Sequence, residues 1–258
     1  MAASTEVNMR NISTPESLQF WDGKWTELDE GKVPGWQLDT HNPTLAEIDG
    51  KPFVKEGDKT VAISGRVLVP LCGATIDLKW LADFEDVTEV VGIEISQTGC
   101  EMFFKDHDLK PTLSEDGTIY KAGKITMHKI DMLLFEDQEK FDFIFDRASL
   151  IALEHCYREK YCDIMKKVLK DDGDYVLMGM LYSRDGPFPG PPRIIHDAEV
   201  KSLFEDTKLF SFIEKLGPDG PCHNFPMLKA VGKEVPNKPG VFFFNGSVPS
   251  KAVWHMRH

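Results

Sequence analysis

Hydrophobic positions in the middle of the chain fall in short runs separated by charged or glycine-bearing turns. Val67–Val69 is brief, β-branched and bounded by Pro70 and Gly73, and Phe141–Phe145 is a second compact run, so both read as strands buried in a parallel sheet. Val91–Ser96 reads as another strand, ending at an acid, with Ile125–Ile130 and Tyr175–Leu181 as further ones. Helical stretches alternate with them: one after Gly73, then Ser96–His107, Ile151–Lys170 and Asp197–Phe204. That alternation predicts an α/β domain. Asp171–Asp174 reads as the turn into the Tyr175 strand, and the polar stretch Lys110–Gly123 as an excursion with room for a hairpin. Strands around Phe210–Lys215, Met227–Gly232 and Val241–Phe244 are expected to finish the sheet as an antiparallel edge.

The N-terminal part has a different texture. Ser13-Thr14-Pro15-Glu16 carries a capping hydroxyl, a proline and an early acid, the signals of a helix start, and predicts a helix to about Asp29. Leu18, Trp21, Trp25 and Leu28 recur at helical spacing, so both indoles leave one face. That face either packs on the domain or covers a ligand. Gly31 to Gly65 is rich in Gly, Pro, Asp and Lys, which predicts a mobile segment or lid with a short helix over Thr44–Ile48 and a loop over Pro52–Lys59. Trp36 stands isolated within it, either clamping the surface or facing a ligand. Tyr182–Arg193, with four prolines and two glycines, reads as a rigid loop. The whole reads as one domain, 1–258, with an N-terminal helix and lid segment (1–60), a core (61–245) and a tail (246–258).

The strand, glycine turn, helix and strand from Gly65 to Ser96 form a nucleotide-binding half-site. Gly73 ends the first strand where backbone can approach a ligand. Glu94 follows at about the ~20-residue interval at which dinucleotide-binding folds set the carboxylate that accepts ribose hydroxyls. The turn has one glycine instead of Gly-x-Gly-x-x-Gly, and no Gly-x-x-x-x-Gly-Lys-Ser/Thr occurs, so a pyrophosphate clasp is disfavoured. An adenosine ligand without phosphates points to S-adenosylmethionine. The same spacing also fits an ordinary βαβ unit whose glycine merely ends a strand. Asp131-Met132 closes the Ile125–Ile130 strand where adenine is contacted in such sheets, but Asp131 can equally cap a turn over Met132–Asp137. Arg147 reaches the carboxyl edge of the sheet, placed either to hold the carboxylate of the cofactor's methionine portion or to form a structural ion pair with Asp146 or Glu94.

Pro70-Leu71-Cys72-Gly73, Asp77-Leu78-Lys79-Trp80-Leu81-Ala82 and Val91-Gly92-Ile93-Glu94-Ile95-Ser96 closely resemble the thiopurine S-methyltransferase family of class I S-adenosylmethionine-dependent methyltransferases. The resemblance continues in Phe20-Trp21, Lys24-Trp25, Lys140–Arg147 and Pro189-Gly190-Pro191-Pro192, and covers roughly Ser17 to Phe212. It implies a Rossmann-like, seven-stranded, mostly parallel sheet with helices on both faces and an N-terminal helical lid. It further implies that S-adenosyl-L-methionine, leaving as S-adenosyl-L-homocysteine, meets Trp21, Trp25, Leu71, Gly73, Glu94, Ile95, Asp131, Met132 and Arg147. Trp36 and Pro191 would then lie beside the methyl acceptor. Indole faces suit a sulfonium cation, an interaction worth ~0.5–2 kcal/mol. The departure is Gly217–His223, where Cys222 replaces the arginine of an Arg-His pair that mammalian members place beside the acceptor and His223 keeps the histidine. His223 is the candidate base for a thiol proton, with a solvated loop histidine as the alternative.

Composition narrows the rest. With 258 residues, 41% of them hydrophobic, the chain can bury a sizeable core, and its net charge of −12 argues against a nucleic-acid substrate. No run approaches ~18 apolar residues, and Met1–Arg10 lacks a secretory pattern, so no membrane partner and a cytoplasmic location are expected. Five cysteines without zinc spacing read as free thiols, and no metal is expected. The expected function is methyl transfer from S-adenosylmethionine to a small thiol or heterocyclic thiol, by a monomer acting on a small-molecule nucleophile. A small-molecule N-methyltransferase or a halide or thiocyanate methyltransferase would use the same scaffold, and a cofactor-binding protein without turnover is the non-catalytic reading.

Overall fold

The computed structural model describes residues 15–29, 36–182, 191–205, 210–218, 220–221, 233–234, 242–243 and 250–258. Helix α1 (Pro15–Asp29) precedes a small antiparallel sheet of β1 (Leu45–Ile48), β2 (Lys51–Glu56) and β3 (Lys59–Ala62). There follow β4 (Gly65–Val69), α2 (Asp77–Ala82), β5 (Val87–Glu94), α3 (Gln97–Asp106), the hairpin β6 (Thr112–Leu113) and β7 (Ile119–Ala122), then β8 (Ile125–Lys129). After a 3₁₀ turn at Met132–Leu134 come β9 (Phe141–Arg147), α4 (Ser149–Ala152), α5 (His155–Val168) and β10 (Leu169–Leu181). The remaining elements are α6 (Asp197–Val200), running on as a π-turn over Lys201–Glu205, then β11 (Phe212–Lys215), β12 (Gly220–Pro221), β13 (Lys233–Glu234), β14 (Phe242–Phe243) and β15 (Ser250–Arg257).

Among the described residues the central sheet has ten strands, ordered β11-β15-β10-β9-β4-β5-β8-β7-β6 with β12 also on β15. The middle, β10-β9-β4-β5-β8, is parallel, and antiparallel strands widen it at both ends beyond the expected seven. Successive strand side chains point to opposite faces, and the core divides accordingly. Val67, Val69, Val90, Phe145 and Val176 pack with Leu78 and Leu81 of α2 and Phe103 of α3. Leu68, Val91, Ile144 and Leu177 pack with Tyr157, Tyr161 and Met165 of α5. Helices on both faces explain why these strands read as continuous apolar runs.

Several expectations are corrected. Thr44–Ile48 is not a helix and Pro52–Lys59 is not a loop: they belong to the small antiparallel sheet, with Leu45, Val54 and Val61 buried against the core and charged residues outward. Asp49 and Gly50, at φ 51° and 76°, form the two-residue turn that joins β1 to β2. From Trp36 onward the segment expected to be mobile is therefore packed, and Lys59–Glu214 and Lys251–Glu56 ion pairs tie it to the C-terminal strands. The helix expected over Ile151–Lys170 breaks at Leu153 and Glu154, both extended, and the strand begins at Leu169. The turn expected at Asp171–Asp174 is a register irregularity inside β10.

The tail supplies a strand of the main sheet. β15 pairs antiparallel with β10 from Tyr175 opposite Met256 to Leu181 opposite Ser250, and β11, antiparallel on β15, is the edge strand expected around Phe210–Lys215. Asp174 accepts from His255 Nε2 at 2.5 Å and from Arg257 Nε at 2.6 Å, which fixes that register. β13 and β14 form a separate two-stranded sheet instead of the expected edge. Met227–Gly232 lies outside the described residues. Other expectations hold: α1 starts at Pro15, α3 fills 97–106, and the 110–123 excursion contains the β6–β7 hairpin.

Candidate active site

A cavity of about 400 Å³ opens at the carboxyl ends of β4, β5, β8 and β9, beneath α1. Its place is the switch point of the sheet, where the chain has moved outward from β4 through β5 to β8 and then crosses to β9 on the other side.

The turn after β4 forms the floor. Leu71 and Gly73 adopt left-handed φ values of 43° and 56°, Cys72 N donates to Ile93 O at 2.9 Å, and Ser149 Oγ donates to Pro70 O at 2.7 Å. Leu71 lines the cavity; Gly73 does not. A Cβ on Gly73 would lie 2.4 Å from Trp25 Cζ2, and one on Gly99 would lie 3.1 Å from Trp25 Cε2. The two glycines therefore make a slot for an indole, and Gly73 approaches Trp25. Trp25, 3% exposed, anchors α1 in that slot, and Asp22 Oδ1 accepts from Ser96 Oγ at 2.8 Å beside it.

Glu94, at the end of β5, is buried and lines the cavity. Its carboxylate accepts from Gly73 N at 3.0 Å and Ser96 N at 2.7 Å, which leaves lone pairs for other donors. Burial drives its pKa up to about 7 against the opposing pull of these N–H groups, and the nearby charge of Asp22 pushes the same way as burial. Ile95, Ile130 and Met132 make an apolar wall next to it. Asp131 Oδ1 caps the 3₁₀ turn by accepting from Leu133 N at 2.9 Å, and the residue also lines the cavity.

Arg147 also lines the cavity, and its Nη2 donates to Trp36 O at 2.7 Å. Asp146 is engaged elsewhere, accepting from Tyr161 Oη and Tyr175 Oη at 2.7 Å each. The carboxylate whose field acts on Arg147 is instead Asp77 at the start of α2, a cavity residue that sequence reasoning passed over. An acid in a first helical turn looks like ordinary dipole compensation. Trp36 stands edge-on to Trp21 and to Trp25, with centroids 5.5 and 5.8 Å apart, so three indoles cluster over the cavity. Pro191 contributes to the rim together with Pro192, Arg193 and the Leu153-Glu154 break. Cys222 and His223 lie outside the described residues.

This constellation agrees with sequence comparison, in which the profile of the family described as thiopurine S-methyltransferase matches residues 16–216. The chain belongs to the thiopurine S-methyltransferase family. Among relatives, the thiopurine S-methyltransferase of Photobacterium profundum is 32% identical over 189 residues, 72% of this chain and 82% of that one. The thiopurine S-methyltransferase of Pseudomonas aeruginosa is 32% identical over 192 residues, 72% and 80% of the two chains. Among solved structures, a SAM-dependent methyltransferase from Anabaena variabilis superposes with a TM-score of 0.57 at 14% identity, covering 96% of each chain. A DhpI–SAM–HEP complex does so with 0.56 at 11%, covering 94% of this chain and 97% of that one. Like the rest of its family, this thiopurine S-methyltransferase-like chain is an S-adenosylmethionine-dependent methyltransferase on a Rossmann-like fold. The cavity fits that cofactor, with a half-satisfied acid, an apolar wall, a guanidinium and indole faces in one enclosure.

Proposed function

We propose that the enzyme methylates a small thiol or heterocyclic thiol, with Glu94 taking the ribose hydroxyls, Ile95, Asp131 and Met132 the adenine, and Leu71 and Arg147 the amino-acid portion of the cofactor. The observation that carries this reading is Glu94, a buried carboxylate held by two backbone N–H groups with lone pairs to spare at the end of β5. When bound, the cofactor supplies a methyl group on a cationic sulfur. Trp21 and Trp25 offer indole faces to that cation and keep water away from it. Trp36, Pro191 and Cys222 are assigned to the acceptor side, so that orientation of an already nucleophilic sulfur supplies ~7–11 kcal/mol of the barrier reduction. His223 takes the thiol proton where the acceptor arrives neutral. No metal is required by this scheme. The acidic balance of −12 supports a small-molecule acceptor over a nucleic acid, and a monomer in the cytoplasm is the setting we infer. No described helix is long and apolar enough to cross a membrane.

Turnover of labelled S-adenosylmethionine on a panel of aliphatic thiols, aromatic thiols, thiopurines, pyridines, amines and halides tests the proposal. Methylation confined to sulfur is the expected result. Transfer to nitrogen or halide overturns the acceptor assignment and keeps the cofactor, and binding without any product overturns the enzymatic reading. On the same panel, His223→Ala should slow neutral thiols more than pre-ionised ones; equal slowing removes His223 as the base.

A further inference from the structure

Arg193 lines the cavity two residues after Pro191, beside the break between α4 and α5. Backbone and side chain fix its place together: Arg193 N donates to Ile151 O and Nη1 to Ala152 O, both at 2.6 Å. Among the described residues its Nε and Nη2 N–H groups make no hydrogen bond. Glu154 Oε1 stands 4.0 Å from Nη2, too far to accept one, and its side chain is 52% exposed, so this ion pair is weak. Glu199, the other acid of this region, is already engaged by Arg158 and His155. The charges of Arg193 and Arg158 oppose each other, so the region carries two guanidiniums and one well-paired carboxylate. The cavity residues next to Arg193, namely Pro191, Pro192 and Leu153, are apolar and bring no counter-charge. A guanidinium anchored by one nitrogen, with its other donors open beside a cavity, suits two-pronged capture of a carboxylate.

We propose that Arg193 binds a carboxylate carried by the methyl acceptor away from its sulfur, so that the acceptor class is a mercaptocarboxylate rather than a neutral thiol. This rests on the thiol reading and the acceptor placement given above. Arg193 is then a specificity-determining residue: it selects and orients the acceptor while taking no part in the methyl transfer itself.

The test compares methylation of 3-mercaptopropionate and of its methyl ester by the whole chain, with S-adenosylhomocysteine affinity measured by calorimetry on each variant. Comparing variant with wild type on one acceptor at a time cancels the different acidities of the two thiols. Arg193→Gln should raise the KM for the acid roughly 10- to 100-fold, the range for a hydrogen bond between charged groups. The ester's KM and the affinity for S-adenosylhomocysteine should stay unchanged. Arg193→Lys keeps the charge without the planar fork and should lose less for the acid than Arg193→Gln; an equal loss overturns recognition by charge. Equal losses for acid and ester in Arg193→Gln assign the residue a structural role through Ala152 and overturn the proposal, as does no loss for either. Wild type that methylates the ester and leaves the acid untouched overturns it without any variant. Wild type that binds S-adenosylhomocysteine and methylates neither thiol overturns the thiol reading itself, a result distinct from loss of carboxylate selectivity.

Discussion

The floor and the roof of the cavity are held by different means. On the floor, Glu94 is gripped by two backbone N–H donors belonging to the turn after β4 and the start of α3, and Cys72 N is bonded to Ile93 O, so the groups that face a ligand are part of the sheet's own hydrogen bonding. The roof is α1, attached among the described residues through side chains: the Trp25 indole wedged between Gly73 and Gly99, the edge-on contacts of Trp21 and Trp25 with Trp36, and the Asp22 to Ser96 hydrogen bond. A floor of this kind is as stable as the domain core. A roof held by a few side chains can leave at a cost well below global unfolding. Under the proposed placement of the cofactor, polar recognition falls to the rigid part and enclosure to the part that detaches more easily.

The most severe way to break that division is to close the slot for Trp25. Gly73→Val puts a side chain where a Cβ already comes within 2.4 Å of the indole, at a φ of 56° that favours glycine. Forcing an L residue left-handed costs ~1–2 kcal/mol, and expelling a buried tryptophan side chain forfeits up to ~3–5 kcal/mol, so affinity for S-adenosylhomocysteine should fall by at least ~100-fold. Hydrogen exchange should show 15–29 losing protection while the strand amides of β4 and β5 keep most of theirs. Loss of protection throughout the sheet would show that roof and floor unfold as one unit and would remove the distinction.

A smaller effect comes from altering the floor's chemistry while keeping its shape. Glu94→Gln should weaken S-adenosylhomocysteine binding by about 1.5–3 kcal/mol, the range for hydrogen bonds to a charged group, with α1 still docked. The pH dependence follows from a pKa raised to about 7. The folded chain then holds a proton that the unfolded chain has already released. This contribution to stability is complete below the ordinary carboxyl range and is lost as pH rises through about 7. Ribose hydroxyls donate better to the ionised form, so ligand affinity should climb over the same interval in which unliganded stability declines. Thermal melts and titrations from pH 5 to 8 should show both slopes in wild type and neither in Glu94→Gln. A flat wild-type affinity profile would detach Glu94 from the ligand.

The floor is also the part that the sequence displays most openly. β4, β5 and β9 are covered on both faces, so Val67–Val69, Val90–Ile93 and Phe143–Phe145 appear as uninterrupted apolar runs, and the turn and acid between them have a known spacing. Additions to that core are harder to see. In β2 and β3 the outward lysines break up Val54 and Val61, and the Asp49-Gly50 turn was the available signal of a hairpin. β15 hides its burial behind polar names: His255 and Trp254 are buried because Asp174 and Asp197 accept their ring N–H groups. No local pattern reports a partner 81 residues away. Gly73 was legible as a special position, but its contact with an indole from α1 depends on tertiary packing alone.

The finest test concerns a hydrogen bond that links the two regions. Asp22→Ala removes the acceptor of Ser96 Oγ and should loosen α1 by about 0.5–1.5 kcal/mol, a roughly two- to tenfold loss in affinity for S-adenosylhomocysteine. The same change removes a negative charge that helps to hold Glu94 protonated. Its two consequences oppose each other below neutrality, since a weaker roof lowers affinity while easier ionisation of Glu94 restores part of it. Above about pH 8 Glu94 is ionised in either protein and only the lost bond remains. Titrations at pH 6 and pH 8.5 should therefore show the larger deficit at the higher pH. An equal deficit at both would mean that Asp22 acts on the roof alone and that its charge does not help to hold Glu94 protonated.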